Sequence, residues 1–171
     1  MNKGGYMSKV RLLVLDVDGT LTDGKIYMGS EGELFKAFDV KDGCGIKDIL
    51  PNYNISPVII TARESKILIQ RCKELNISNL YQNCRDKKQQ LDKILKEFSI
   101  ADNKHYDYSN LAYCGDDILD LQCMQPIHEA GGIVGCPADA VPEVKKISDF
   151  ISCKNGGNGA VREFIEWICS R

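Results

Sequence analysis

Short apolar runs that recur between amphipathic stretches constrain this 171-residue chain more than any other feature. Val10-Arg11-Leu12-Leu13-Val14-Leu15 is nearly continuous in apolar residues, as a strand buried on both faces of a parallel sheet must be. Ile55 to Ile60 and Leu111 to Cys114 read the same way, with briefer runs at Leu80-Tyr81, Gly132 to Val134 and Phe150-Ile151. Helical patterns separate them over Glu64 to Leu75, Asp86 to Phe98, Ile118 to Met124, Val141 to Lys146 and Ala160 to Ile168. The alternation predicts an α/β chain: a Rossmann-like three-layer sandwich, its mainly parallel sheet covered by helices on both faces. After the first strand, two short alternating runs flank Gly29-Ser30-Glu31-Gly32 and predict a β-hairpin over 25–38, a flap beside the end of that strand. A short helix is expected from Gly45 to Leu50, ended by Pro51.

The length suits one domain over residues 9–171, preceded by a tail over 1–8 that reads as disordered. A net charge of -2 and the lack of any basic run argue against a nucleic-acid partner. No apolar stretch reaches membrane-spanning length and the start lacks a signal-peptide core, so a cytoplasmic protein without a membrane partner is expected. The eight cysteines form no Cys-x-x-Cys pair and several sit in apolar runs, which suits small buried side chains in a reducing compartment.

Polar residues with coherent chemistry stand at or just beyond the strand ends. The first strand stops in Asp16-Val17-Asp18-Gly19-Thr20, the second in Thr61, and the Leu111 strand in Gly115-Asp116-Asp117, with Asp120 one helical turn on. Lys87 opens the helix after the brief Leu80-Tyr81 run. In a parallel sheet the carboxyl ends converge, so one pocket can hold them all. Carboxylates suit an oxygen-seeking dication such as Mg²⁺, Thr61 can donate a hydrogen bond, and Lys87 can neutralise an anion. A transferring phosphoryl group needs such a set: cations around its oxygens, an in-line nucleophile, and a proton for the leaving oxygen. Taken singly, each has a structural explanation as a turn, a helix cap or a solvated lysine.

The order Asp-x-Asp-Gly-Thr, strand-Thr, Lys, Gly-Asp-Asp-x-x-x-Asp resembles the haloacid dehalogenase superfamily of phosphohydrolases. Longer segments sharpen the likeness: DVDGTLTDG over 16–24, FDVKDGCGI over 38–46, TARESKILIQR over 61–71 and GGNGAVRE over 156–163. They resemble the superfamily's cap-less sugar-acid phosphatases across 9–168. The hairpin and one helix fill the stretch from Asp18 to Thr61, leaving no room for an inserted cap domain.

The resemblance implies a Mg²⁺-dependent phosphomonoesterase acting on a 2-keto-3-deoxy sugar-acid phosphate, 3-deoxy-D-manno-octulosonate 8-phosphate first. It implies that Asp16 is the nucleophile that forms an aspartyl-phosphate and that Asp18 is the acid/base. Mg²⁺ would be held by Asp16, the Asp18 carbonyl and Asp116, with Asp117 and Asp120 ordering its waters or Lys87. Thr61 and Lys87 would hold the phosphoryl oxygens. Lys41, Ala62, Arg63, Arg71, Gly157 and Arg162 are the matching substrate-binding candidates. A homotetramer is implied as well, with the flap and the glycine-rich segment 155–162 of neighbouring subunits closing each site. Ala62 and Lys41 depart from the octulosonate pattern, which has Gly and Arg there. Arg63 matches it, and can pair with a sugar-acid carboxylate. Alternatives are a nonulosonate (sialic acid or KDN) 9-phosphate phosphatase and a non-catalytic oligomerisation domain associated with a cytidylyltransferase.

Overall fold

Leu12–Leu15 (β1) is buried along its whole length, and its side chains divide alternately between two hydrophobic cores, as the two-residue period of a strand requires. Leu13 and Leu15 face one core; Leu12 and Val14 face the other. The computed structural model describes residues 9–171, so the tail expected over 1–8 lies outside the described residues. Around β1 the parallel sheet is completed by Ser56–Ile60 (β4), Asn79–Tyr81 (β5), Leu111–Cys114 (β6), Ile133–Cys136 (β7) and Phe150–Ile151 (β8), in the order β5-β4-β1-β6-β7-β8. Every pairing in it is parallel. The flap is a separate antiparallel pair, Tyr27–Gly29 (β2) and Gly32–Phe35 (β3).

Helices cover both faces. The core under Leu13 and Leu15 takes Ile46, then Leu68, Cys72 and Leu75 around Lys66–Glu74 (α2), and Val161, Phe164, Ile165 and Ile168 of Ala160–Cys169 (α6). The opposite core takes Leu91, Ile94 and Leu95 of Lys87–Ala101 (α3), Cys123, Met124 and Ile127 of Leu121–Glu129 (α4), and Val144 of Pro142–Ile147 (α5). Each such fully buried side chain contributes roughly 1.5–3 kcal/mol, so the sheet is a rigid platform for whatever its strand ends carry. No helix among the described residues is long and apolar enough to cross a membrane, and all eight cysteines are free.

The helix expected from Glu64 starts at Lys66 and the one expected to end at Phe98 runs to Ala101, and two further boundaries differ from expectation for local reasons. The short helix expected over 45–50 is one part of a longer helical stretch, with Val40–Cys44 (α1), a π-helical turn Gly45–Ile49 and a 3₁₀ turn Leu50–Tyr53. Asp39 starts it by accepting from Lys41 N at 2.6 Å, and Pro51 sits in the first turn of the 3₁₀ segment, where its missing N–H costs nothing. The helix expected from Ile118 begins only at Leu121, because Asp120 turns its side chain back to the backbone of Asp116 and Asp117.

Candidate active site at the carboxyl end of the sheet

The three central strands are neighbours in the order β4-β1-β6, so the residues that follow them, Thr61, Asp16 and Asp116, emerge side by side. Backbone hydrogen bonds carry the sheet just past the strand ends: Asp16 N donates to Cys114 O at 3.0 Å, and Thr61 N to Tyr81 O at 3.0 Å. The chain then turns at Gly19, whose φ of +103° suits glycine. A Cβ there would lie 2.0 Å from Asp116 Oδ2, so only glycine lets the β1 loop close on that carboxylate. Thr20 Oγ1 holds it by donating to Asp116 Oδ1 at 2.9 Å.

Lys87 is delivered by the start of α3. Asp86 caps that helix by accepting from Gln89 N at 2.9 Å, and Gln122 Oε1 accepts from Lys87 N at 3.1 Å. The Lys87 side chain is 3 % exposed, and its Nζ donates to Asp16 Oδ1 at 2.6 Å and Asp120 Oδ1 at 2.7 Å. Asp120 also accepts from Tyr113 OH at 2.8 Å and, through Oδ2, from the backbone N–H groups of Asp116 and Asp117 at 3.0 and 3.1 Å.

Carboxylate oxygens of Asp16, Asp116 and Asp120 lie within 4.8 Å of one another. Burial pushes the Asp16 carboxyl up to about 8, with Asp120 adding to the rise and Lys87 opposing it. Burial likewise lifts Asp116 to about 7, reinforced by Asp120. Burial works against the Lys87 ammonium, but Asp16 and Asp120 outweigh it and raise its pKa. Of these three converging carboxylates the one buried cation touches two, Asp16 and Asp120, and a second, hard cation is what this oxygen donor set suits.

Asp18, on the same loop, is gripped from the flap side. Lys36 Nζ, just beyond β3, donates to Asp18 Oδ1, while Arg63 Nε stands 3.6 Å from Oδ2. Thr61 is buried and its Oγ1 accepts from Arg63 N at 3.3 Å; Ala62 between them is half-buried. The structure therefore brings Asp16, Asp18, Thr61, Arg63, Lys87, Asp116 and Asp120 to one end of the sheet. Asp117 is exposed there, and its Oδ1 accepts from Ile118 N at 2.7 Å; Lys87 is held by Asp120 instead.

The other candidates have different surroundings. Gly157 N donates to Thr20 O at 3.1 Å, so the glycine-rich tail lies against the β1 loop. A Cβ on Gly156 would fall 1.8 Å from Gly19 O. Lys41 is exposed near Gly159. Arg162 pairs with Glu166 at 2.7 Å, and its N–H donates to the buried Asp42. Arg71 is engaged by Glu74 at 2.8 Å and packs on Phe38 and Gly43 rather than on the carboxylates. Reading the sequence alone misses Thr20, Lys36, Glu33, Ser65 and Tyr113. Thr20 and Ser65 carried a signal, since each is a hydroxyl residue beside a strand-end motif.

No protein-family model matches the chain. It is 43 % identical over 159 residues to the 3-deoxy-D-manno-octulosonate 8-phosphate phosphatase KdsC of Salmonella typhi, covering 93 % of this chain and 79 % of that protein. The crystal structure of 3-deoxy-D-manno-octulosonate 8-phosphate phosphatase from Yersinia pestis superposes with a TM-score of 0.86 at 36 % identity, covering 96 % of this chain and 83 % of that one. The Moraxella catarrhalis phosphatase of that name, crystallised in complex with a magnesium ion, a phosphate ion and a KDO molecule, gives a TM-score of 0.84 at 38 % identity, over 96 % of this chain and 88 % of that one.

Proposed function

Because the chain belongs to the 3-deoxy-D-manno-octulosonate 8-phosphate phosphatase family of the haloacid dehalogenase superfamily, we propose that it is a magnesium-dependent phosphomonoesterase that removes phosphate from 3-deoxy-D-manno-octulosonate 8-phosphate. The observation that carries the reading is the buried Lys87 bridging Asp16 and Asp120 beside Asp116, at the end of the three central strands. A single buried lysine among converging carboxylates costs folding free energy, and its use is electrostatic stabilisation of a reacting anion.

Asp16 attacks phosphorus as the bond to the sugar oxygen breaks, forming an aspartyl-phosphate. Lys87 holds Asp16 Oδ1, which leaves Oδ2 for the attack. Asp18 gives its proton to the leaving alkoxide, then takes one from the water that attacks the phosphoenzyme, regenerating Asp16 and releasing inorganic phosphate. Thr61 and Lys87 bind the transferring oxygens. Asp16, Asp116 and the Asp18 main-chain carbonyl are the residues that would hold Mg²⁺. When bound, the ion supplies positive charge that keeps the two buried carboxyls ionised and offsets the charge on the phosphoryl group. Arg63 is 44 % exposed at the mouth of the site, where its guanidinium can pair with the carboxylate of a sugar acid. Both candidate substrates carry such a carboxylate, and what favours the octulosonate is the 43 % identity to an octulosonate 8-phosphate phosphatase.

Among the described residues no separate domain covers the site, and Met28, Leu34, Phe35 and Val40 on and beside the flap are exposed by 51–77 %. These observations support association between subunits, and the homotetramer that the resemblance implies would cover such faces and let neighbouring segments exclude water. Eight free cysteines are in keeping with a cytoplasmic setting. Phosphate release from the two sugar-acid phosphates, assayed with Mg²⁺, tests the reading. It predicts a higher kcat/KM on the octulosonate, and loss of turnover in Asp16→Asn. No release from either substrate sinks it, and a preference for the nonulosonate corrects the substrate.

A further inference from the structure

The flap carries a cation whose burial the reaction scheme above does not use. The Lys36 side chain is 2 % exposed, and its Nζ makes two ion pairs: with Asp18 Oδ1, and with Glu33 Oε1 at 3.1 Å. Glu33 in turn accepts from Ser65 Oγ at 2.5 Å and stands 3.6 Å from Arg63 Nη2. Ser65 is itself the N-cap of α2, accepting from Leu68 N at 3.3 Å. A chain of contacts, Asp18–Lys36–Glu33–Ser65, thus ties the β1 loop, the flap and the α2 helix together.

The flap is shaped to make this possible. Gly29 pairs with Gly32 and Met28 with Glu33, but Tyr27 pairs with Phe35, so one extra residue, Leu34, is inserted into β3. In a regular strand residues 33 and 36 point to opposite faces. The bulge shifts the alternation by one, bringing Glu33 and Lys36 to the same side, toward Asp18. A long, flexible side chain is held still by a second charge, and a buried ammonium is tolerated only with such partners.

From this geometry we infer that Lys36 is a positioning residue: braced by Glu33 on the bulged flap, it holds the Asp18 carboxyl group by Oδ1, so that Oδ2 can carry the proton passed to the leaving oxygen. The inference rests on Asp18 being the acid/base of the phosphatase proposed above. Lys36 holds Asp18 Oδ1, whereas Arg63 Nε stands 3.6 Å from Oδ2, beyond hydrogen-bond distance; loss of Lys36 therefore frees the carboxyl group to rotate away from the reacting group while Asp16, Lys87 and Asp116 keep their contacts. The defect must then depend on the leaving group. A sugar alkoxide needs a proton as it departs; a nitrophenolate or a carboxylate does not.

The test uses the full-length protein saturated with Mg²⁺. It compares kcat/KM for the sugar-acid phosphate with kcat/KM for p-nitrophenyl phosphate and acetyl phosphate, in wild type, Lys36→Met, Lys36→Arg, Glu33→Gln and Asp18→Asn. In Lys36→Met the sugar-acid phosphate should lose on the order of 100-fold and the activated phosphates no more than about threefold, with Lys36→Arg recovering part of the loss. Glu33→Gln retains the lysine and should show the same selectivity at smaller size, which keeps the test open if Lys36→Met folds poorly. Equal losses on all substrates would mean a purely structural role and overturn the inference, as would no loss on any. If Asp18→Asn shows leaving-group selectivity and Lys36→Met does not, the inference fails alone. If Asp18→Asn shows none, the acid/base reading fails and takes the inference with it.

Discussion

Replacing Asp116 by Asn separates what the site costs the fold from what it gives the reaction. Burial first, and then the charge of Asp120, lift the Asp116 carboxyl from its ordinary 3.8 to about 7. The folded protein therefore binds this proton more tightly than the unfolded chain does. Between about pH 4 and 7 the folded state holds more of it, so stability falls as the pH rises through that window. At about 1.4 kcal/mol per pH unit, the ionised carboxylate costs the metal-free fold up to about 4 kcal/mol at pH 8, and about 1.5 kcal/mol at pH 5. Asn removes the charge, and its carbonyl oxygen can still accept from Thr20 Oγ1.

Thermal and urea unfolding in EDTA should therefore show Asp116→Asn more stable than wild type by about 2–4 kcal/mol at pH 8, a rise in Tm of about 5–15 °C. The advantage should shrink by more than half at pH 5. Saturating Mg²⁺ should narrow or reverse it, since wild type gains about 2.7 kcal/mol at a hundredfold excess over Kd and the variant has lost a ligand. Phosphate release should fall by a factor on the order of 1,000. An Asp116→Asn protein that is less stable than wild type in EDTA at pH 8, or whose stability difference is the same at both pH values, would refute the account of a carboxylate cluster strained by burial and repulsion.

Lys87→Met leaves Asp16 and Asp120 without their shared cation and should destabilise by about 3–5 kcal/mol in urea unfolding, with aspartyl-phosphate formation lost in single-turnover assays. A stable, fully active Lys87→Met would contradict its place in the site. Asp42 lies under the start of α6, accepting from Arg162 N at 2.7 Å, and burial lifts its carboxyl to about 6. By the same sign argument stability falls between about pH 4 and 6. Asp42→Asn should flatten that part of the pH–stability curve and add up to about 3 kcal/mol at pH 8, as urea unfolding across pH would show. In Gly156→Ala the new methyl would meet Gly19 O at 1.8 Å and must lift the tail off the β1 loop. We expect about 1–3 kcal/mol of destabilisation by thermal unfolding together with a lowered kcat/KM; an effect on neither would show that tail and loop are uncoupled.

What could be read in the sequence and what could not follows from how each residue is placed. β1, β4 and β6 have buried middles and near-continuous apolar sequences, so the strands and their neighbours' layers are legible. The residues one or two places past those strands are fixed in space by the sheet itself, which is why Asp16, Thr61 and Asp116 can be assembled on paper. Lys87 follows because the start of a helix after a strand lies at the same end of the sheet. Tyr113 gives no such signal. It lies within an apolar strand and is 0 % exposed, indistinguishable from core until its hydroxyl is seen on Asp120.

The flap shows a deeper limit. Alternation along Glu33-Leu34-Phe35-Lys36 puts Glu33 and Lys36 on opposite faces, and any pattern-based reading must separate them. The bulge at Leu34 reverses that parity, and nothing in the local composition marks it, because no glycine stands at the inserted position. One unpaired residue thereby decides whether Lys36 faces solvent or Asp18. The catalytic loop is legible because strand ends are set by the core; its partner on the flap is not, because its facing is set by one irregularity in the ladder. Removing Leu34 should turn Lys36 away from Asp18 while leaving the sheet and its three central strand ends in place.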